Sequence, residues 1–181
     1  ILYKVFIIII LLFPSYSFGE NMVFEDFKNN PSERWEFIAD TVMGGVSEGE
    51  VLFKKEKDIF YAKMIGAVSL ENNGGFIQFR RKIQNKLNNS FEGLSIKVRG
   101  NNLEYYIHIR TKGTILPWQY YQAPFEVNKS WKKINISFES FKRSGIMLAK
   151  KFNPRNVKSI AIVAFGKNHK VDVEVDEISF Y

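Results

Sequence analysis

Asp40-Thr41-Val42-Met43-Gly44-Gly45-Val46-Ser47 is the stretch that decides the fold, and Asn72-Asn73-Gly74-Gly75-Phe76 echoes it further along. Each glycine pair lies between apolar runs that read as strand. Glycine reaches φ > 0 without steric cost and lets another backbone or a ligand come close, so the pairs mark demanding turns rather than slack linker. A phosphate loop is excluded. That loop needs a Lys-Ser/Thr step and a helix whose first amides meet the phosphate, whereas Val46-Ser47-Glu48-Gly49-Glu50-Val51 continues as strand.

Outward from these turns, the chain reads at period two. Leu94, Ile96 and Val98 alternate with Ser95, Lys97 and Arg99; Tyr105, Ile107 and Ile109 alternate with Tyr106, His108 and Arg110; Val171, Val173 and Val175 alternate with Asp172, Glu174 and Asp176. Such alternation predicts half-buried strands with one wet face. Further strands are expected over 35–38, 46–53, 59–65, 76–82, 118–125, 131–138 and 159–165. Turn signals such as Arg99-Gly100-Asn101-Asn102 and Phe165-Gly166-Lys167-Asn168 separate them. The hydrophobic phase slips between Val175 and Ile178, which predicts a β-bulge near Asp176-Glu177. About ten short strands with no helix of convincing length predict one all-β domain, a mostly antiparallel jelly-roll sandwich over residues 20–181.

Composition agrees. The chain has 181 residues, 45% of them hydrophobic, with seventeen Phe, eight Tyr and three Trp, which suit a pleated core. Cysteine is absent, excluding disulfides, thiolate metal sites and a cysteine nucleophile. Residues 1–19 stand apart: Lys4, the apolar run Val5 to Phe13, Pro14, then small residues at Ser17 and Gly19. This order predicts a secretory leader cleaved after Gly19, a run too short to span a bilayer, and a periplasmic or secreted mature protein with no transmembrane span. Charge is uneven. Residues 20–50 carry eight acids and two bases, whereas 129–170 carry eleven bases and only Glu139. The basic block reads as a solvated lysine-rich face and not as a nucleic-acid site, because no repeated aromatic-basic motif accompanies it.

Catalytic chemistry finds little support. Only His108 and His169 exist, the second in a polar turn and the first in mid-strand with no Ser-bearing elbow beside it, so neither a nucleophilic triad nor a zinc hydrolase is predicted. No particular carboxylate pair is nominated for glycoside chemistry. Asp172, Glu174 and Asp176 are spaced about 7 Å per step along one strand, which suits a solvated acidic row rather than one metal site. No cofactor and no metal are expected.

The strongest constellation is a polar strand face. If 76–82, 94–99 and 105–110 share a sheet, Gln78, Arg80, Ser95, Lys97, Arg99, Tyr106, His108 and Arg110 lie on one side, with Trp118, Gln119, Tyr120 and Tyr121 as an aromatic rim. Forked arginine donors beside aromatic rings suit a sugar, a carboxylate or a peptide; an ordinary solvated face is the alternative. Arg80, Arg99, Tyr106, His108, Arg110, Trp118 and Tyr121 are the binding candidates.

The motifs also carry a resemblance. Trp35 followed by Asp40-Thr41-Val42-Met43-Gly44-Gly45-Val46-Ser47, then residues 66–76 ending in Asn73-Gly74-Gly75-Phe76 with Arg80, then Phe91-Glu92-Gly93-Leu94, Val98-Arg99-Gly100 and Tyr105-Tyr106, resemble in order the complex I intermediate-associated protein 30 family. The resemblance implies a galactose-binding-like β-sandwich and a non-catalytic role, since the family's mitochondrial members assist respiratory complex I assembly. A protein partner is therefore expected; a carbohydrate-binding module is the alternative, because the fold hosts such modules. A carboxylate-dependent hydrolase ranks below both. The motif residues Trp35, Asp40, Met43, Gly44, Gly45, Ser47, Asn73, Gly74, Gly75 and Phe76 are expected to be structural.

Overall fold

Alternating side chains sort the chain into strands wherever one face finds a core. The computed structural model describes residues 21–181, so the expected leader lies outside the described residues. The strands are β1 (Met22–Glu25), β2 (Trp35–Ala39), β3 (Glu48–Glu56), β4 (Ile59–Val68), β5 (Phe76–Lys82), β6 (Gly93–Gly100), β7 (Glu104–Thr111), β8 (Tyr121–Glu126), β9 (Lys132–Ser137), β10 (Lys142–Arg143), β11 (Val157–Phe165) and β12 (His169–Phe180). Helical structure among the described residues is confined to 3-10 turns of three or four residues.

Two six-stranded sheets result. The first runs β3-β4-β12-β6-β9, with β1 paired to β12; the second runs β10-β8-β7-β11-β5-β2. Every pairing is antiparallel. Between the sheets lies the core. Ile77, Phe79, Ile107, Ile109, Ile160 and Ile162 of the second sheet meet Met64, Leu94, Ile96, Val98, Val173 and Val175 of the first, all without solvent exposure. Close packing of such branched and aromatic side chains is the main stabilising term of a sandwich. The expected bulge is present: Val175 pairs with Val98 but Glu177 pairs with Lys97, leaving Asp176 extra.

Three expectations need correction. β6 joins the first sheet and not the sheet of β5 and β7, because its neighbours are β12 and β9. The strand expected from Trp118 begins at Tyr121. Before it, Gln119 turns its side chain back to accept from the amides of Ile115 and Leu116 at 2.8 and 3.0 Å, which holds 115–119 as a turn. The acidic row of β12 is also not simply solvated: Lys63 bridges Asp172 and Glu174 at 2.9 Å each, and Asp176 pairs with Lys97.

Candidate functional site

The two glycine motifs meet at one carboxylate. Asp40 is fully buried. Its Oδ1 accepts from the Ser47 amide at 2.9 Å, and its Oδ2 accepts from the Ser47 hydroxyl and from the amides of Gly75 at 2.5 Å and Phe76 at 3.2 Å. Ser47 Oγ in turn accepts from the Ser69 amide at 3.0 Å. Burial alone would raise the Asp40 pKa; the Ser47, Gly75 and Phe76 donors outweigh it and hold the carboxyl below its ordinary value. A Cβ at Gly45 or Gly74 would overlap this carboxylate, so both positions must be glycine for the backbones to approach. Gly44 closes the 3-10 turn over Asp40–Met43 at φ +89. Asp40 and Arg80 do not meet: the Arg80 guanidinium forks onto Glu36 Oε1 instead. The motif is therefore a clamp between two loops.

What the clamp positions is a cleft. Pinned by Asp40, the first loop leaves Val42 and Met43 exposed and the second leaves Leu70 exposed. These form one rim of a cavity of about 640 Å³ on the outer face of the second sheet. Its floor comes from the middle strands, where Gln78 and Arg80 of β5, Val163 of β11, and His108 and Arg110 of β7 line it; Pro117, Trp118 and Tyr120 close the far side. Register explains the grouping. Arg80 lies opposite Ala161, which lies opposite His108, and Gln78 lies opposite Val163, all on the face away from the core. Val163 is buried although it faces outward, as are Ser159 and Ala161 on the same central strand, where Gln78 of β5 and Tyr106 of β7 flank it.

Two aromatic groups build the far wall. His108 stacks face to face on Tyr120, with ring centroids 3.9 Å apart and 10° between planes. Burial drives the His108 pKa down to about 3, with the Gln122 side chain opposing only weakly, so the imidazole is neutral at ordinary pH. Its Nε2 is buried and has no hydrogen-bond partner within the protein. Trp118 remains two-thirds exposed. Arg110 supports the loop that carries it: one guanidinium nitrogen donates to the carbonyls of Thr114 at 3.1 Å and Leu116 at 2.9 Å.

Of the sequence candidates, Arg80, His108, Arg110 and Trp118 come together in the cleft, with Met43, Asn73, Gly74, Gly75 and Phe76 of the motifs on its edge. Tyr106 shares the face but packs against Phe165 at 4.6 Å and donates its hydroxyl to Glu104. Arg99 does not belong. It lies on the outer face of the other sheet, bonded to Glu174 and Glu56 and stacked on Trp131 at 4.6 Å. Tyr121 does not belong either: it pairs with Ile109, is buried, and donates its hydroxyl to the Ala149 carbonyl. Tyr120 takes the position expected of Tyr121. The signal was in the sequence, because Phe125 and Ala123 belong to the core and alternation then sends Tyr121 inward with them.

The N-terminal strand hides a second hub that sequence reading missed. Glu25 is buried and accepts from Arg34, Arg81, the Trp35 indole and the Phe27 amide. Burial pushes its pKa up, and these donors together bring it below the ordinary value. Trp35 itself is buried against Phe79 at 5.1 Å, so its role is structural. Among the described residues there is no cluster of three or more ligating side chains for a metal ion, and no helix is long and apolar enough to cross a membrane.

Comparison with known proteins identifies this architecture. The family model described as "Complex I intermediate-associated protein 30 (CIA30)" matches residues 24–175. No curated protein sequence matches the chain. Among solved structures it is similar to a family 11 carbohydrate-binding module from Clostridium thermocellum in complex with a β-1,3-1,4-mixed-linked tetrasaccharide: TM-score 0.73, 15% identity, 88% of this chain and 94% of that one. A family 30 carbohydrate-binding module gives TM-score 0.59 at 10% identity, covering 90% and 99%. The agarase AgWH50C gives TM-score 0.59 at 8% identity over 90% of this chain but only 24% of that one. At these identities the likeness establishes the fold, a galactose-binding-like jelly-roll sandwich.

Proposed function

This chain belongs to the complex I intermediate-associated protein 30 family, and we propose that it is a non-catalytic binding module whose working surface is the cleft on the second sheet, with a glycan chain as its ligand. One observation carries the reading. The family motifs do not surround a reactive group; they clamp two loops so that exposed apolar side chains overhang an aromatic-walled trough. A trough with flat rings and a few fixed polar groups suits pyranose rings, which present apolar C–H faces and a polar edge. The saccharide named for the family 11 neighbour supports the choice. Catalysis is disfavoured by the lining, which contains no acidic side chain to act as a general acid or nucleophile. His108, with a pKa near 3, is too weak a base near neutral pH.

Affinity electrophoresis across a panel of soluble polysaccharides tests this directly. Retention by at least one polysaccharide is expected, and Trp118→Ala should weaken it roughly tenfold or more, the usual worth of an exposed aromatic anchor. A folded protein retained by none of them would overturn the glycan reading.

A second reading is an assembly factor that docks a protein partner. It is favoured by Ile146 and Met147, which are almost fully exposed on the loop after β10. Its expected outcome is a stable complex with one envelope protein that Met147→Ser abolishes. Export from the cytoplasm is part of the proposal for either role, supported by the order of Lys4, the apolar run Val5 to Phe13 and Gly19. N-terminal sequencing of protein recovered from the envelope should then begin at Glu20; an N-terminus upstream of it would contradict cleavage after Gly19, and recovery of the protein only from the cytoplasm would contradict export.

A further inference from the structure

The charged side chains that line the cleft are of one sign only. Of its two cations, Arg80 is compensated by Glu36 on the neighbouring strand. Arg110 is not. Its recorded hydrogen bonds go to two backbone carbonyls through a single nitrogen, and among the described residues it has no carboxylate partner. Carbonyl oxygens orient a guanidinium without cancelling its charge, and they leave its remaining N–H groups available. The register sets a second uncompensated cation just beyond the cleft. Lys82 and Arg110 flank Ser159 on adjacent strands, which sets their backbones about 10 Å apart. Lys82 is exposed and likewise has no carboxylate partner among the described residues.

An uncompensated cation in a half-buried trough is an unfavourable arrangement until an anion arrives. Burial and the nearby Arg80 both hold the Arg110 pKa below its ordinary value, in keeping with that position. Arg110 is also joined to the aromatic wall, because the carbonyls it holds belong to the turn that presents Trp118. Cation and exposed indole therefore act as one unit. A planar carboxylate matches the guanidinium fork, and an attached pyranose ring matches the indole face.

Resting on the glycan reading above, we infer that the cleft selects acidic polysaccharides built from uronate sugars, with one carboxylate on Arg110 and the chain continuing toward Lys82. The sugar ring is required by Trp118 and Tyr120, and the carboxylate by Arg110.

The test is calorimetric titration of the whole protein with hexagalacturonate, the same hexamer fully methyl-esterified, a mixed-linked β-glucan hexasaccharide and polyglutamate. The acid hexamer should bind; esterification, Arg110→Met or salt of about 0.3 M should each weaken it by roughly tenfold or more, as expected for a charge-assisted contact. The esterified hexamer needs no mutation, so the result survives if Arg110→Met disturbs the Trp118 turn. Equal binding of the neutral ester or of β-glucan would overturn the uronate inference and leave the glycan reading intact. Tighter binding of polyglutamate than of the uronate would overturn the saccharide class. No binding to any of the four would overturn the uronate inference, and the glycan reading would then stand or fall on the polysaccharide panel.

Discussion

The two outer faces of the sandwich hold the same kind of residues and put them to opposite use. On the first sheet Arg99 is saturated. It bonds Glu174 and Glu56 and lies over Trp131 and Tyr61, while Lys63 and Lys97 complete the ion pairs with Glu174, Asp172 and Asp176. On the second sheet Arg110 and Trp118 are left unsatisfied, the one without a counter-ion and the other two-thirds exposed. A face whose charges and rings satisfy one another has nothing to offer a ligand; a face that leaves them unmet does. The difference also separates stability from binding, and substitutions on the two faces should separate accordingly.

The largest effect is expected at the clamp that shapes the cleft. Asp40→Ala removes a buried carboxylate and strands the Ser47, Gly75 and Phe76 donors, which should destabilise the protein by about 3–5 kcal/mol. Denaturant unfolding measures this, and a loss below about 1 kcal/mol would mean that the motif is not the clamp described. Next comes the saturated face. Arg99→Met leaves the buried Glu174 with only Lys63, so stability should fall by about 1–3 kcal/mol while retention by polysaccharide is unchanged. Loss of binding without loss of stability would invert the comparison.

Acid should discriminate the cleft wall. His108 has a folded pKa of about 3 against an ordinary value of 6.5. The unfolded chain takes up the proton first, so the contribution of His108 to stability is complete above pH 6.5 and is lost as pH falls toward 3. The loss approaches about 1.4 kcal/mol per pH unit. His108→Phe should flatten the stability profile between pH 6.5 and 4.5. Below that window the depressed pKa values of Asp40 and Glu25 add a further loss, as carboxylates stabilised in their charged form begin to protonate. The smallest stability effect belongs to Trp118→Ala, within about 0.5 kcal/mol, because the ring is mostly in water.

The sandwich was legible because alternation is a local property. Tyr105, Ile107 and Ile109 announce an inward face on their own, and the phase slip at Asp176 announces its bulge. The assignment of strands to sheets is not local. β6 and β7 follow one another in sequence with a short turn between them, yet they belong to different sheets, which is why alternation alone puts Arg99 on the same face as Arg110. The glycine motifs could be recognised as turns, but nothing in either one shows that Asp40 reaches Gly75 across 35 positions. Tyr120 and Tyr121 differ by one step, and that step decides between cleft and core. Glu25 gave no signal at all, because its partners Arg34 and Arg81 converge only through β1 and β5.

Amide chemical-shift mapping of the 15N-labelled protein titrated with hexagalacturonate decides between the two faces. Binding in the cleft should centre the shifts on Gln78 and Arg80, His108 and Arg110, Val163, and the turn through Trp118 and Tyr120. Shifts centred instead on Arg99, Trp131 and Tyr61, or a spectrum unmoved at saturating hexamer, would contradict it.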